Sequence, residues 1–167
     1  MEPGDLTTLA TLAGTKLKAR GARLVTAESC TGGWVAQAVT AIAGSSDWFE
    51  RGYVSYSNAA KREQLGVAAA TLERHGAVSE ETAREMALGA LARGQGSVAL
   101  AITGVAGPGG GTAAKPVGTV CLAWAKDGAA RSETRRFDGD RESVRRQSVM
   151  RALQGLIELL DGSRSEA

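Results

Sequence analysis

Residues 97–103 read SVALAIT. No charge interrupts them, and apolar side chains fall at odd and even positions alike, so both faces of a strand here would meet apolar cover. That is the pattern of a central strand in a parallel sheet with helices on each side. Upstream, Ser79 has the residue type of a helix N-cap, with Glu80 and Glu81 in the dipole-favoured first turn. Ala83, Met86, Ala87, Ala90 and Leu91 then recur at helical spacing. Downstream, GVAGPGGGTAAKP (104–116) is a glycine-rich loop. VGTVCLAWA and ARSETRRF flank KDG (126–128), whose Asp-Gly pair is a strong hairpin signal.

The rest of the chain continues the alternation. Leu6, Leu9, Leu12, Ala13 and Leu17 stripe a helix over about residues 5–20, which Gly21 ends. ARLVTA (22–27) is a short buried strand. Val35, Ala38, Val39 and Ile42 mark a helix that begins near Thr31 or Gly32 and stops before Gly44. RGYVSYS (51–57) is β-prone, with Tyr56 near its end, and NAAKREQLG is a short helix closed by Gly66. His75, in LERHGAVS, falls in a connector. A last helix runs from about Asp140 to Leu160 with Val149, Ala152, Leu153, Leu156, Ile157 and Leu160 inward. The sum is a single domain over 1–167: an α/β fold, a three-layer α/β/α sandwich around a mixed, mostly parallel sheet with a C-terminal hairpin.

Length and composition agree. The 167 residues are 43% hydrophobic and 23% charged, ordinary values for one globular domain. No apolar run approaches the roughly 20 residues of a spanning helix, and the N-terminus lacks the pattern of a signal peptide. Two cysteines make no disulfide framework, which points to a reducing cytoplasm. Seven arginines crowd between Arg131 and Arg151, yet the seven aromatics do not interleave with them as a base-stacking platform would require. A stacking platform for nucleic acid is therefore not expected, whereas one arginine on one phosphate is. No nucleic-acid and no membrane partner is expected.

Elimination narrows the chemistry. With one histidine, a Ser-His-Asp triad would have to use His75. No spaced His/Cys cluster suits zinc, and GGGTAA (109–114) matches a dinucleotide fingerprint only inside a loop. In sheets of this class ligands bind beyond the carboxyl ends of the strands. Ser29 in AESCTGG (27–33), Tyr56 and Lys61, and Thr103 with the glycines after it all fall at such ends. Ser29 needs a base, and among five lysines only Lys61 and Lys115 are placed for it, if burial lowers the pKa. The Tyr56 hydroxyl is positioned by sequence to relay a proton or orient the serine. Cys30 is a rival nucleophile, and Ser29 as a plain helix cap is the bland alternative. From the residues alone two readings stand: a ligand-binding α/β module without turnover, and a serine hydrolase.

Five blocks resemble, in order, the CinA C-terminal domain family: LVTAESCTGGWVAQAVTAIAGSS, YSNAAKREQLGV, HGAVSEETAREMALGAL, TGVAGPGGGTAAKPVGTV and FDGDRESVRRQ. They span residues 24–147, and the chain reads as the stand-alone form of that domain. The resemblance implies an amidase that converts nicotinamide mononucleotide to nicotinic acid mononucleotide and ammonia in pyridine nucleotide recycling, with no metal or organic cofactor. It implies Ser29 as nucleophile, Lys61 as general base and Tyr56 as its assistant. Thr31, Gly32, Gly33, Thr103, Gly104, Gly107, Gly110, Lys115 and Arg145 would bind substrate, with backbone donors near Gly32 and Gly33 holding the oxyanion. Arg145 or Lys115 would neutralise the phosphate. A non-catalytic nucleotide-binding regulatory module is the alternative, and a homo-oligomer, a dimer or dimer of dimers, is expected.

Overall fold

The computed structural model describes residues 5–162; residues 1–4 and 163–167, the ends of the expected 1–167 unit, lie outside them. The SVALAIT stretch forms β3 (Val98–Gly104), the middle strand of a five-stranded sheet. The other strands are β1 (Leu24–Glu28), β2 (Phe49–Val54), β4 (Thr119–Lys126) and β5 (Ala129–Arg136), in the order β2-β1-β3-β4-β5. β2, β1 and β3 are parallel, and β4 runs against both β3 and β5. Four strands thus share one direction. The β4–β5 hairpin turns at Asp127 and Gly128, both at positive φ (55° and 77°), as the Asp-Gly pair predicts.

Helices cover both faces. One face carries α1 (Leu6–Ala19), α2 (Trp34–Thr40) and α6 (Arg141–Asp161); the other carries α3 (Asn58–Leu65), α4 (Ala69–His75) and α5 (Glu80–Arg93). The two faces differ in residue size. Val98, Leu100 and Ile102 of β3 point with Leu122 and Trp124 of β4 toward α1, α2 and α6. Ala99 and Ala101 point with Ala123 and Ala125 the other way, onto Ala83, Ala87 and Ala90 of α5. Small side chains on both partners let α5 lie close on the sheet, while the large ones fill the opposite layer. The α/β sandwich with its hairpin is as the sequence predicts.

Three local readings differ. α2 starts at Trp34, later than expected, because Gly32 and Gly33 adopt positive φ (60° and 102°) and form a turn instead of a helix. β2 starts at Phe49 and ends at Val54, so Tyr56 lies beyond it. The connector around His75 is helical, as α4. Its N-terminal cap is tertiary: Glu85 of α5 accepts from Ala68 N–H at 2.9 Å and from the Thr71 hydroxyl at 2.6 Å. No described helix is long and apolar enough to cross a membrane.

Candidate active site

Parallel pairing of β1 with β3 places Glu28 opposite Ile102. Ser29 continues that ladder by one rung, donating its N–H to the Ile102 carbonyl at 2.9 Å. The serine backbone is thus anchored at the carboxyl end of the sheet's inner strands, beside Thr103. Ser29 does not cap α2. Glu28 does: its carboxylate accepts from Val35 N–H at 2.9 Å and Ala36 N–H at 3.1 Å. The Ser29 hydroxyl is therefore left for other partners.

The principal one is Lys61. Ser57 caps α3, accepting from Ala60 N–H at 3.0 Å, and the helix turns Lys61 inward until only 1% of it is exposed. Its Nζ lies 3.1 Å from Ser29 Oγ, 3.2 Å from the Ser55 carbonyl and 2.9 Å from the Tyr56 carbonyl. Ser29 Oγ also lies 3.3 Å from the Tyr56 carbonyl, which can accept its proton. An ammonium here donates to all three oxygens. A neutral amine gives its two N–H bonds to the carbonyls and turns its lone pair to the serine hydroxyl. Burial favours the neutral form and holds the Lys61 pKa below the usual lysine value. Cys30, next to the serine, is also buried, and its thiol is pushed up to about 12, mainly by desolvation. At neutral pH it is a thiol, the form that does not attack.

Ser29 and Lys61 open onto a cavity of about 300 Å³ lined also by Cys30, Tyr56, Thr103, Gly104, Gly107, Gly110 and Arg141. That volume is at the small end of the roughly 300–1,000 Å³ of small-molecule sites. Thr103 donates its hydroxyl proton to the Ala77 carbonyl at 2.7 Å. With that proton committed, its oxygen can meet a ligand in the cavity only as an acceptor. The loop glycines have backbone reasons too: Gly107 and Gly110 sit at φ of 87° and 89°, and a Cβ on Gly104 would meet Val120 Cγ2 at 2.8 Å.

Five residues named from the sequence do not line this cavity. Thr31 is fully buried, its hydroxyl donating to Glu28 at 2.6 Å. Gly32 spends its N–H on the Ser29 carbonyl at 3.1 Å, and Gly33 serves the turn. Lys115 lines a neighbouring cleft with His75, Glu81 and Arg84 and donates to the His75 carbonyl at 2.6 Å. Arg145 lies behind the turn that follows Ser29, donating to the Cys30 and Thr31 carbonyls at 3.0 and 3.2 Å. The arginine at the cavity is Arg141, which also donates to the Gly107 carbonyl at 2.8 Å. Both arginines belong to the cluster singled out from the sequence, one helical turn apart on α6; spacing alone could not rank them. Tyr56 is 62% exposed, and the atom it lends to the Ser29–Lys61 pair is its carbonyl. The Ser55 and Tyr56 carbonyls carry no sequence signal, because every residue has one.

A family model described as "CinA C-terminal domain" matches residues 6–160. A nicotinamide-nucleotide amidohydrolase PncC of Pseudomonas putida is 54% identical over 159 residues, covering 95% of this chain and 98% of that one. The PncC amidohydrolase of Escherichia coli K12 is 55% identical over 160 residues, covering 93% and 95%. The crystal structure of a competence-damaged protein (CinA) superfamily protein from Klebsiella pneumoniae superposes with a TM-score of 0.92 at 43% identity, over 95% of this chain and 99% of that one. By sequence and by fold, this chain belongs to the CinA C-terminal domain family.

Proposed function

We propose that this protein hydrolyses the carboxamide of nicotinamide mononucleotide, releasing ammonia and nicotinic acid mononucleotide, through an acyl-enzyme on Ser29 formed with Lys61 as base. The amidohydrolase class follows from relatives of that name at this identity over nearly their full length. The substrate, the residue roles and a place in pyridine nucleotide recycling are our reading. The observation that carries it is the 3.1 Å approach of a buried lysine to a serine at a strand end.

Neutral Lys61 takes the Ser29 proton as Oγ attacks the carboxamide carbon. The tetrahedral oxyanion collapses, and Lys61 returns the proton to the leaving nitrogen, which departs as ammonia. Water, deprotonated in turn by Lys61, then cleaves the ester. The scheme needs neither metal nor organic cofactor. Because the Gly32 N–H is committed to Ser29, the oxyanion donors are assigned to the Cys30 N–H and to the Ala106–Gly107 stretch of the glycine-rich loop. Thr103, an acceptor toward the cavity, suits the carboxamide N–H, and Arg141 suits the phosphate. We also propose a cytoplasmic homo-oligomer, a dimer or dimer of dimers, which light scattering on the purified protein tests.

The experiment is ammonia release from nicotinamide mononucleotide by wild type, Ser29→Ala and Lys61→Ala. Turnover by wild type with both variants at background is expected. An active Ser29→Ala overturns the mechanism, and a wild type that binds the nucleotide without turnover establishes the regulatory module instead.

A further inference from the structure

We propose that Glu28 is a positioning residue for Ser29, working with Arg145 from the opposite side of the same turn. The inference rests on the reading of Ser29 as nucleophile. Glu28 is the last residue of β1 and is 1% exposed, yet it does not line the cavity. Its Oε1 accepts from the Thr31 hydroxyl at 2.6 Å and from Val35 N–H at 2.9 Å, while Oε2 accepts from Ala36 N–H at 3.1 Å. One carboxylate thus ties the end of the strand to the start of the helix and closes a ring of contacts around residues 29–34.

A simple helix cap would not do this. An Asp or Ser at the Gly33 position could satisfy the first N–H groups of α2 without touching β1. Instead the turn holds two successive glycines at positive φ, the residues least able to fix a conformation themselves. α2 itself is only seven residues long, too short to hold its own end. Arg145 supplies the complementary hold. Its Nε and Nη2 donate to the Cys30 and Thr31 carbonyls, and its guanidinium lies 5.4 Å from the Trp34 ring centre. The carboxylate therefore holds the Thr31 hydroxyl and the first N–H groups of α2, while the guanidinium holds two carbonyls of the turn. What both fix is the direction of Ser29 Oγ toward Lys61, in a reaction whose rate is steeply sensitive to misplacement of the attacking atom.

Glu28→Gln keeps the shape but sets an amide donor against one of the N–H groups the carboxylate accepts. In folded enzyme we expect kcat to fall about 10- to 100-fold, with KM within about twofold of wild type. The rate at which a fluorophosphonate probe modifies Ser29 should fall by the same factor, and the midpoint of the rise of kcat with pH should stay in place. Thr31→Val, which removes one hydroxyl from the ring, should lower kcat in the same direction, and Thr31→Ser should restore it; this pair carries the test if Glu28→Gln does not fold. If Glu28 only stabilises the fold, the variants will lose denaturation midpoint while the folded fraction keeps wild-type kcat and probe reactivity, and the inference is wrong. A shifted pH midpoint would also overturn it, since Glu28 would then be acting on Lys61 by charge. A wild type that neither turns over nor reacts with the probe at Ser29 defeats the nucleophile reading on which the inference stands.

Discussion

Lys61 Nζ lies 3.1 Å from Ser29 Oγ across a separation of 32 residues, and two backbone carbonyls of the β2–α3 connection complete the lysine's hydrogen bonding. The carbonyls at Ser55 and Tyr56 orient the amine, so that losing a proton leaves its lone pair for the serine. Burial supplies the tendency to lose it.

Activity should therefore rise with pH as Lys61 deprotonates, with a midpoint below the usual lysine value of 10.5. A kcat/KM profile for carboxamide hydrolysis measures it. Lys61→Arg, which stays protonated across the range, should be inactive at every pH. Activity that is flat from acid to alkaline pH would remove Lys61 as the base.

The same burial sets a pH dependence of stability. Because the folded-state pKa is depressed, the unfolded chain binds the proton more readily in the interval between the two pKa values. The penalty is complete below the folded pKa and fades as pH climbs toward the unfolded one. The stability of wild type minus that of Lys61→Met, from urea titrations, should thus increase with pH over that interval. A difference that falls with pH would mean that the site prefers the ammonium.

Cys30 borders the cavity but should be dispensable. Its thiol, held up near 12 by burial, is protonated at neutral pH. Cys30→Ala should keep kcat within about tenfold, the residual loss reflecting packing beside Ser29. Loss of all turnover in a folded Cys30→Ala enzyme would transfer the nucleophile's role to the thiol.

Arg141 and Arg145 should separate kinetically. Removing a charge-assisted contact to phosphate costs roughly 1.5–3 kcal/mol, so Arg141→Ala should raise KM for the mononucleotide about 10- to 100-fold. The phosphate-free riboside should be affected less, by only what the Arg141 contact to the Gly107 carbonyl gives the loop. Equal effects on both compounds would place the phosphate elsewhere.

Gly155 of α6 lies against the indole of Trp124, whose Nε1 donates to the Ala152 carbonyl at 2.9 Å. A Cβ at 155 would overlap the ring atoms Cζ2 and Cε2. Overpacking of about 1–3 kcal/mol outweighs the helix-propensity gain of roughly 1 kcal/mol, so Gly155→Ala should lower the urea midpoint. An unchanged midpoint would show that α6 can slide on the sheet.

The sequence is most legible where a local pattern decides the structure. β3 is apolar on both faces, the hairpin carries Asp127-Gly128, and α5 opens on Ser79 with two glutamates behind it; each reads correctly from a few adjacent residues. α4 does not, because the carboxylate that holds its first turn comes from Glu85 in another helix. The start of α2 fails for a related reason: the carboxylate that caps it is Glu28, seven residues before the Val35 N–H that it holds. At the candidate site, counting histidines and lysines narrows the candidate partners of Ser29 to two residues. Which of them reaches Ser29 depends on how α3 and the glycine-rich loop fold over the sheet end, and Lys115 is carried into the neighbouring cleft. Arg141 and Arg145 illustrate the same limit, since one helical turn decides which faces the cavity.

The order of the strands has its own consequence. Ser29 follows β1, which is flanked on both sides, whereas Lys61 is carried by the helix after β2, which among the described residues pairs with β1 alone. Edge segments are drawn from the weaker end of a protein's local stabilities. Transient fraying of the β2–α3 margin would part the two residues while the remaining sheet stays intact. In mild denaturant, catalysis should therefore fade before the far-ultraviolet dichroism changes, and amide protons of β2 should exchange faster than those of β1 and β3.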